Sequence, residues 1–159
     1  LILLALLVVG FGIKIPLVPL HTWLPDAYVE ASPPVAIMLG GILSKLGTYG
    51  LVRFAMGLFP ETWAFVTPAL SIVAAVSILY GALSALAQHD IKRMVAYSSI
   101  AHMGYVFLGV SALTPLAMVG AVTQMVSHGL ILGLLFYLVG QIEAKVGTRD
   151  RDILNGLLN

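Results

Sequence analysis

No cysteine occurs anywhere in the chain. That absence excludes disulfides and thiolate-ligated iron–sulfur clusters on this polypeptide, and it says nothing about the redox state of the compartment. Charge is nearly as scarce. Eight Lys or Arg and seven Asp or Glu make up 9 % of 159 residues, against about a quarter in soluble domains. The chain therefore lacks the polar side chains needed to face water over its whole surface. A net charge of +1 offers no handle for nucleic acid. A start methionine and a basic leader are missing too. Leu1 already lies in an apolar run, which reads as an internal stretch of a longer protein and not as a signal peptide.

What is present is hydrophobic: 60 % of the residues, with a mean hydropathy of +1.03. From Ala64 to Ala87 there are 24 residues without a charge. As a helix they would span about 36 Å, more than the roughly 30 Å of a hydrocarbon core. The expected fold class is all-α, a polytopic transmembrane helix bundle forming one membrane unit over residues 1–159. Five apolar segments are legible: 1 to about 25, broken by Lys14, Pro16 and Pro19; 35–58 with Lys45; 64–87; 94–112 with His102; and 116–142 with His128. Ser32-Pro33-Pro34, Phe59-Pro60-Glu61, Gln88-His89-Asp90 and Thr114-Pro115 supply turn chemistry between them.

Loop charges predict the orientation. The loop after the third segment and the tail after the fifth share a side that holds Lys92, Arg93, Lys145, Arg149 and Arg151; the opposite side holds Arg53 alone. By the positive-inside rule the richer side is cytoplasmic or its topological equivalent. His89 and Asp90 beside Lys92 read as a solvated turn. Arg53 reads as an interfacial anchor.

Two lysines stand at awkward depths. Lys14 precedes Pro16 by two residues, and a proline removes a backbone donor and clashes with the preceding turn. The helix either breaks there, at membrane depth against protein or water, or simply ends near Gly12 with Lys14 reaching the interface. Lys45 lies about ten residues into its segment, roughly 15 Å from its start and too deep to snorkel. In lipid it would cost at least about 2.5–3.5 kcal/mol, so it should face protein or a wet cavity. Gly41, Thr48 and Tyr49 share its helical face.

The later segments repeat the pattern. Ser98, Ser99, His102 and Tyr105 form a polar stripe, and Gln124 stands one turn before His128. A single buried histidine is more often a hydrogen-bonded structural group than a relay. Several such groups at similar depth on different helices suit proton transfer, because desolvated lysine and histidine exchange protons near neutral pH and hydroxyls or waters complete the wires. The expected relay is Lys14, Lys45, His102 and His128, supported by Thr48, Tyr49, Ser98, Ser99, Tyr105 and Gln124, with the helix break at Pro16. No motif for a metal, a phosphate or a nucleophile triad is legible, so neither metal nor cofactor-binding residues are expected.

At these residues the sequence resembles a known family. KIPLVPLHTWLPDAYVEASPPVAIMLGGILSKLGTYGLVRF (14–54), QHDIKRMVAYSSIAHMGYVFLG (88–109) and GAVTQMVSHGLILGLLFYLVG (120–140) are similar to the antiporter-like membrane-arm subunits of respiratory complex I, most closely the M type. The tail EAKVGTRDRDILNGLLN resembles the cyanobacterial form, including its carbon-dioxide-uptake variant. The resemblance implies that Lys14 sits at the break of a discontinuous helix, that Lys45 is the central connecting lysine, and that His102 and His128 lie on a hydrated axis. Tyr28 stands where the family often has a second histidine. A glutamate partner of Lys14, and a charged group on a later broken helix, would lie outside this stretch.

The function so implied is proton translocation coupled to quinone reduction by NAD(P)H or ferredoxin, in a bacterial inner or thylakoid membrane. Other membrane-arm subunits are the expected partners, and the quinone, the NAD(P)H or ferredoxin, and the iron–sulfur clusters are expected on partner subunits, with none on this chain. A subunit of a multi-subunit sodium/proton antiporter of the Mrp type shares these features and is the alternative. A non-pumping scaffold whose buried charges serve packing is a third reading.

Overall fold

The computed structural model describes residues 1–154, and within them the chain folds as six helices. These are α1 (Ile2–Lys14), α2 (Trp23–Glu30), α3 (Pro33–Met56), α4 (Pro60–Leu86), α5 (Ile91–Ser111) and α6 (Pro115–Val146). Residues 155–159, the end of the tail that resembles the cyanobacterial form, lie outside the described residues. α3 to α6 are each long and apolar enough to cross a membrane. The all-α, multi-pass membrane architecture expected from composition is what the chain adopts.

Three of the four long helices begin on a proline, at Pro33, Pro60 and Pro115, so each starts a few residues ahead of its apolar run. Proline at a first helical position forgoes a donor that has no intrahelical partner anyway. Asp90 starts the fourth: its carboxylate accepts from the backbone of Lys92 at 2.7 Å and of Arg93 at 3.3 Å. Gly147, at φ +77°, closes α6 in the left-handed conformation that glycine adopts without strain. Pro68 inside α4 frees the Ala64 carbonyl, and the Thr67 hydroxyl donates to it at 2.9 Å.

The first membrane segment is broken, as Lys14 and Pro16 suggested. α1 ends at Lys14, residues 15–22 form turns, and α2 resumes at Trp23. Freed backbone groups at the break find partners. Trp23 Nε1 donates to the Ile13 carbonyl at 3.0 Å, and Val18 N donates to Ser77 Oγ in α4 at 3.0 Å. An ideal Cβ on Gly47 would lie 3.0 Å from Lys14 Cβ, so α1 terminates against the middle of α3. The helix thus breaks and resumes, and α1 does not stop at Gly12.

α2 ends at the side rich in positive charge. Lys92 Nζ donates to the Val29 and Ala31 carbonyls at 3.0 and 2.6 Å, and Arg149 Nη1 to Val29 at 3.3 Å. Arg93 pairs with Asp26. Lys92 was expected as a loop charge; it is 4 % exposed, because the last carbonyls of α2 need donors. The tail crosses the α4–α5 loop through Ile91 N to Arg149 O and Arg151 N to His89 O.

Small residues set the helix spacing. A Cβ on Gly81 would lie 2.7 Å from Ala101 N, and one on Gly104 would lie 3.1 Å from the Ala74 carbonyl, so α4 and α5 meet backbone to backbone. The buried apolar side chains form two clusters. One gathers Leu4, Leu51, Met103 and Phe107 towards the α5–α6 turn; the other gathers Leu24, Tyr28, Ile100 and Phe136 towards the charged end. Between them lies a polar layer.

Candidate functional site

Lys45 has 12 residues before it and 11 after it in α3, so it stands at mid-span. α3 is not a uniform α-helix. Leu39–Leu43 and Leu51–Met56 are π-helical turns, features that concentrate at functional sites. The first turn presents the Gly40 carbonyl to two side chains: Ser44 Oγ donates to it at 3.1 Å, and the Lys45 ammonium donates to it as well. The other partner of Lys45 comes from α6, where His128 Nδ1 stands 2.7 Å from Lys45 Nζ. Gly129 allows this approach, since a Cβ there would meet the Gly41 carbonyl at 3.0 Å.

His128 is 3 % exposed, and its Nε2 is buried without a hydrogen-bond partner. Its ring lies 5.4 Å, centroid to centroid, from that of His102 in α5. His102 Nδ1 in turn meets Gln124 Nε2 of α6 at 3.0 Å. Lys45, His128, His102 and Gln124 are thus one run drawn from three helices. Lys45 opens onto an apolar groove of about 560 Å³ between α3 and α6, and His102 onto a groove of about 640 Å³ between α5 and α6. The run crosses α6 from one groove to the other. A buried imidazole between an ammonium and a second imidazole can pass a proton through its two nitrogens.

Other expected residues stand apart from this run. Lys14 is exposed at the broken helix end, one helix over, where its Cβ abuts Gly47. Among the described residues no carboxylate lies within salt-bridge distance of Lys14 or Lys45. The Thr48 hydroxyl is buried and unpartnered one turn from Lys45. The expected stripe on α5 divides. Ser98 donates to the Val95 carbonyl of its own helix at 2.7 Å. Ser99 is buried near the Tyr28 hydroxyl, in the cluster towards the charged end. Tyr49 and Tyr105 are exposed, 58 % and 53 %, and Tyr105 reaches His102 only by ring contact at 6.4 Å. His89 and Asp90 serve the turn and the tail, His89 Nδ1 meeting Asp152 at 2.8 Å.

Sequence reasoning passed over His21, which is 5 % exposed in the break, edge-on to Tyr80 with centroids 4.8 Å apart. Nothing in its spacing marks it. It also passed over the π-turn acceptor at Gly40, for which the Gly40-Gly41 pair is the only local signal.

Comparison with known proteins identifies the family. Residues 1–159 match the family described as NADH:quinone oxidoreductase/Mrp antiporter, transmembrane. A Synechococcus sp. (strain JA-2-3B'a(2-13)) protein named NAD(P)H-quinone oxidoreductase chain 4 is 50 % identical over 96 % of this chain. A protein of the same name from Acaryochloris marina is 54 % identical over 94 % of it. The chain spans 29 % and 28 % of their respective lengths. Among solved structures, a chain of the Mrp complex from Dietzia sp. DQ12-45-1b superposes with a TM-score of 0.88 at 26 % identity, over 94 % of this chain and 28 % of that one. A chain of an archaeal membrane-bound sulfane sulfur reductase superposes with a TM-score of 0.84 at 35 % identity, over 92 % and 26 %.

Proposed function

The chain belongs to the NADH:quinone oxidoreductase/Mrp antiporter transmembrane family, and on that premise we propose that it is part of a proton-translocating membrane subunit of an NAD(P)H- or ferredoxin-driven quinone oxidoreductase. The observation that carries the reading is the mid-span run Lys45, His128, His102 and Gln124. Lys45 passes its proton to His128 along the hydrogen bond they share, and His102 receives it on the far side of α6. Lys14, at the broken helix end beside Gly47, feeds or drains Lys45 through water. Thr48 and waters complete the path where direct contacts are absent.

Electrons move on partner subunits; this chain moves protons. The membrane is a bacterial plasma membrane or a thylakoid, in keeping with the cyanobacterial relatives. The second reading, a subunit of an Mrp-type cation/proton antiporter, rests on the superposition with the Dietzia complex. Identity near one half with the quinone oxidoreductase relatives, against 26 % with the Dietzia chain, favours the first.

The test replaces Lys45 with Ala in the whole complex. Assembly and quinone reduction persist, and most proton translocation is lost. Normal translocation by the variant would remove Lys45 from the path. Copurification with quinone-reducing subunits supports the first reading; sodium-dependent exchange without them would transfer the chain to the second.

A further inference from the structure

Both imidazoles of the run are met at Nδ1 by a donor. This inference rests on the relay proposed above. Lys45 Nζ approaches His128 Nδ1 at 2.7 Å, and Gln124 Nε2 approaches His102 Nδ1 at 3.0 Å. An ammonium has no acceptor, and neither does an amide nitrogen, so each Nδ1 accepts and each neutral ring carries its proton on Nε2. There the two histidines part company. Lys45 can give His128 the very proton they share. Gln124 cannot give up an amide proton.

A neutral ring protonated on Nε2 gains a second proton only at Nδ1. At His102 that atom is occupied by the amide hydrogen of Gln124. The ring therefore stays neutral for as long as the amide keeps this orientation. A half-turn about the terminal torsion of Gln124, which is broad and nearly two-fold, presents Oε1 instead, and Oε1 accepts from Nδ1–H. The groove gives room for the turn. Gly120, one helical turn before Gln124, has nothing within 4 Å of its Cβ position, and both line the cavity of about 640 Å³.

We propose that Gln124 is a positioning residue whose amide orientation gates His102: nitrogen towards Nδ1 holds the ring neutral, oxygen towards Nδ1 admits the imidazolium. The proton that His128 gives up reaches Nδ1 through water in the groove: the His128 N–H bond breaks as the water is protonated, and one N–H bond forms at His102 Nδ1 as one O–H bond breaks. Gln124 is covalently unchanged. Release of the Nε2 proton then leaves a ring protonated on Nδ1, held by Oε1. The gate resets when Nδ1 gives its proton to groove water, water supplies a proton to Nε2, and the amide turns back.

The experiment reads the tautomer and the transport separately, in the assembled complex. With 15N-labelled histidine, the His102 signal is identified by its loss in His102→Gln. In the wild type it reports a proton on Nε2 and a bare Nδ1. Gln124→Glu, whose carboxylate only accepts, moves the proton to Nδ1 and cuts proton translocation to less than half. Gln124→Met, close in volume but without a hydrogen bond, yields a mixture of tautomers and also slows translocation. A wild-type ring with its proton on Nδ1 would overturn the proposal. So would wild-type translocation in either variant; if Gln124→Glu fails to assemble, Gln124→Met decides. Normal pumping by Lys45→Ala would sink the relay itself and leave the tautomer assignment standing, so the two failures are distinct.

Discussion

Gly41 of α3 and Gly129 of α6 touch backbone to backbone, and that contact brings Lys45 under His128. A Cβ on Gly129 would stand 3.0 Å from the Gly41 carbonyl oxygen and 3.7 Å from Lys45 Cε. A branched side chain there forces the helices apart, at about 1–3 kcal/mol for overpacking. Gly129→Val should therefore lower the melting temperature of the complex and lose proton translocation together. Gly10→Ala, in open space on α1, should change neither.

Ser77 holds the break. Its hydroxyl accepts from Val18 N at 3.0 Å and donates to the Val73 carbonyl at 2.8 Å. Ser77→Ala leaves the Val18 N–H unsatisfied, at about 1–3 kcal/mol. Hydrogen–deuterium exchange should rise across residues 15–22 and stay slow in the middle of α4. Unchanged exchange in the break would show that Ser77 does not secure it.

Lys92 secures the outer half of the broken helix. Removing it as Lys92→Met strips charged donors from the Val29 and Ala31 carbonyls, bonds worth about 1.5–3 kcal/mol each. Exchange at the end of α2 should accelerate and the melting temperature fall. Because Lys92 is 4 % exposed, added salt should alter its contribution little. A loss that salt reproduces in the wild type would assign Lys92 to the surface instead.

Depth was legible in the sequence, and facing was not. Proline-rich turns mark where helices start, and a fixed rise per residue then puts Lys45, His102 and His128 at mid-span. The break was legible too, since Pro16 cannot continue a helix. What spacing could not supply is which faces meet. The stripe Ser98, Ser99, His102 and Tyr105 shares one helix face only loosely: Ser98 bonds its own helix, Ser99 is buried near Tyr28, and Tyr105 is exposed. Of the four, His102 is the one that meets a polar group of α6, Gln124. The π turn after Gly40 adds a residue to the helix and swings Lys45 towards α6, and ordinary helical spacing does not reveal it. Lys92 and the carbonyls it caps lie more than 60 residues apart in sequence, so its burial is a product of tertiary structure.

The central claim is that Lys45 and His128 act in series on one proton path. Protons moved per electron pair, measured for Lys45→Met, His128→Gln and the double variant in the reconstituted complex, test it most directly. Series elements predict that each single variant loses most translocation and that the double variant loses no more. Independent losses that add, or either single variant pumping at the wild-type ratio, would contradict it.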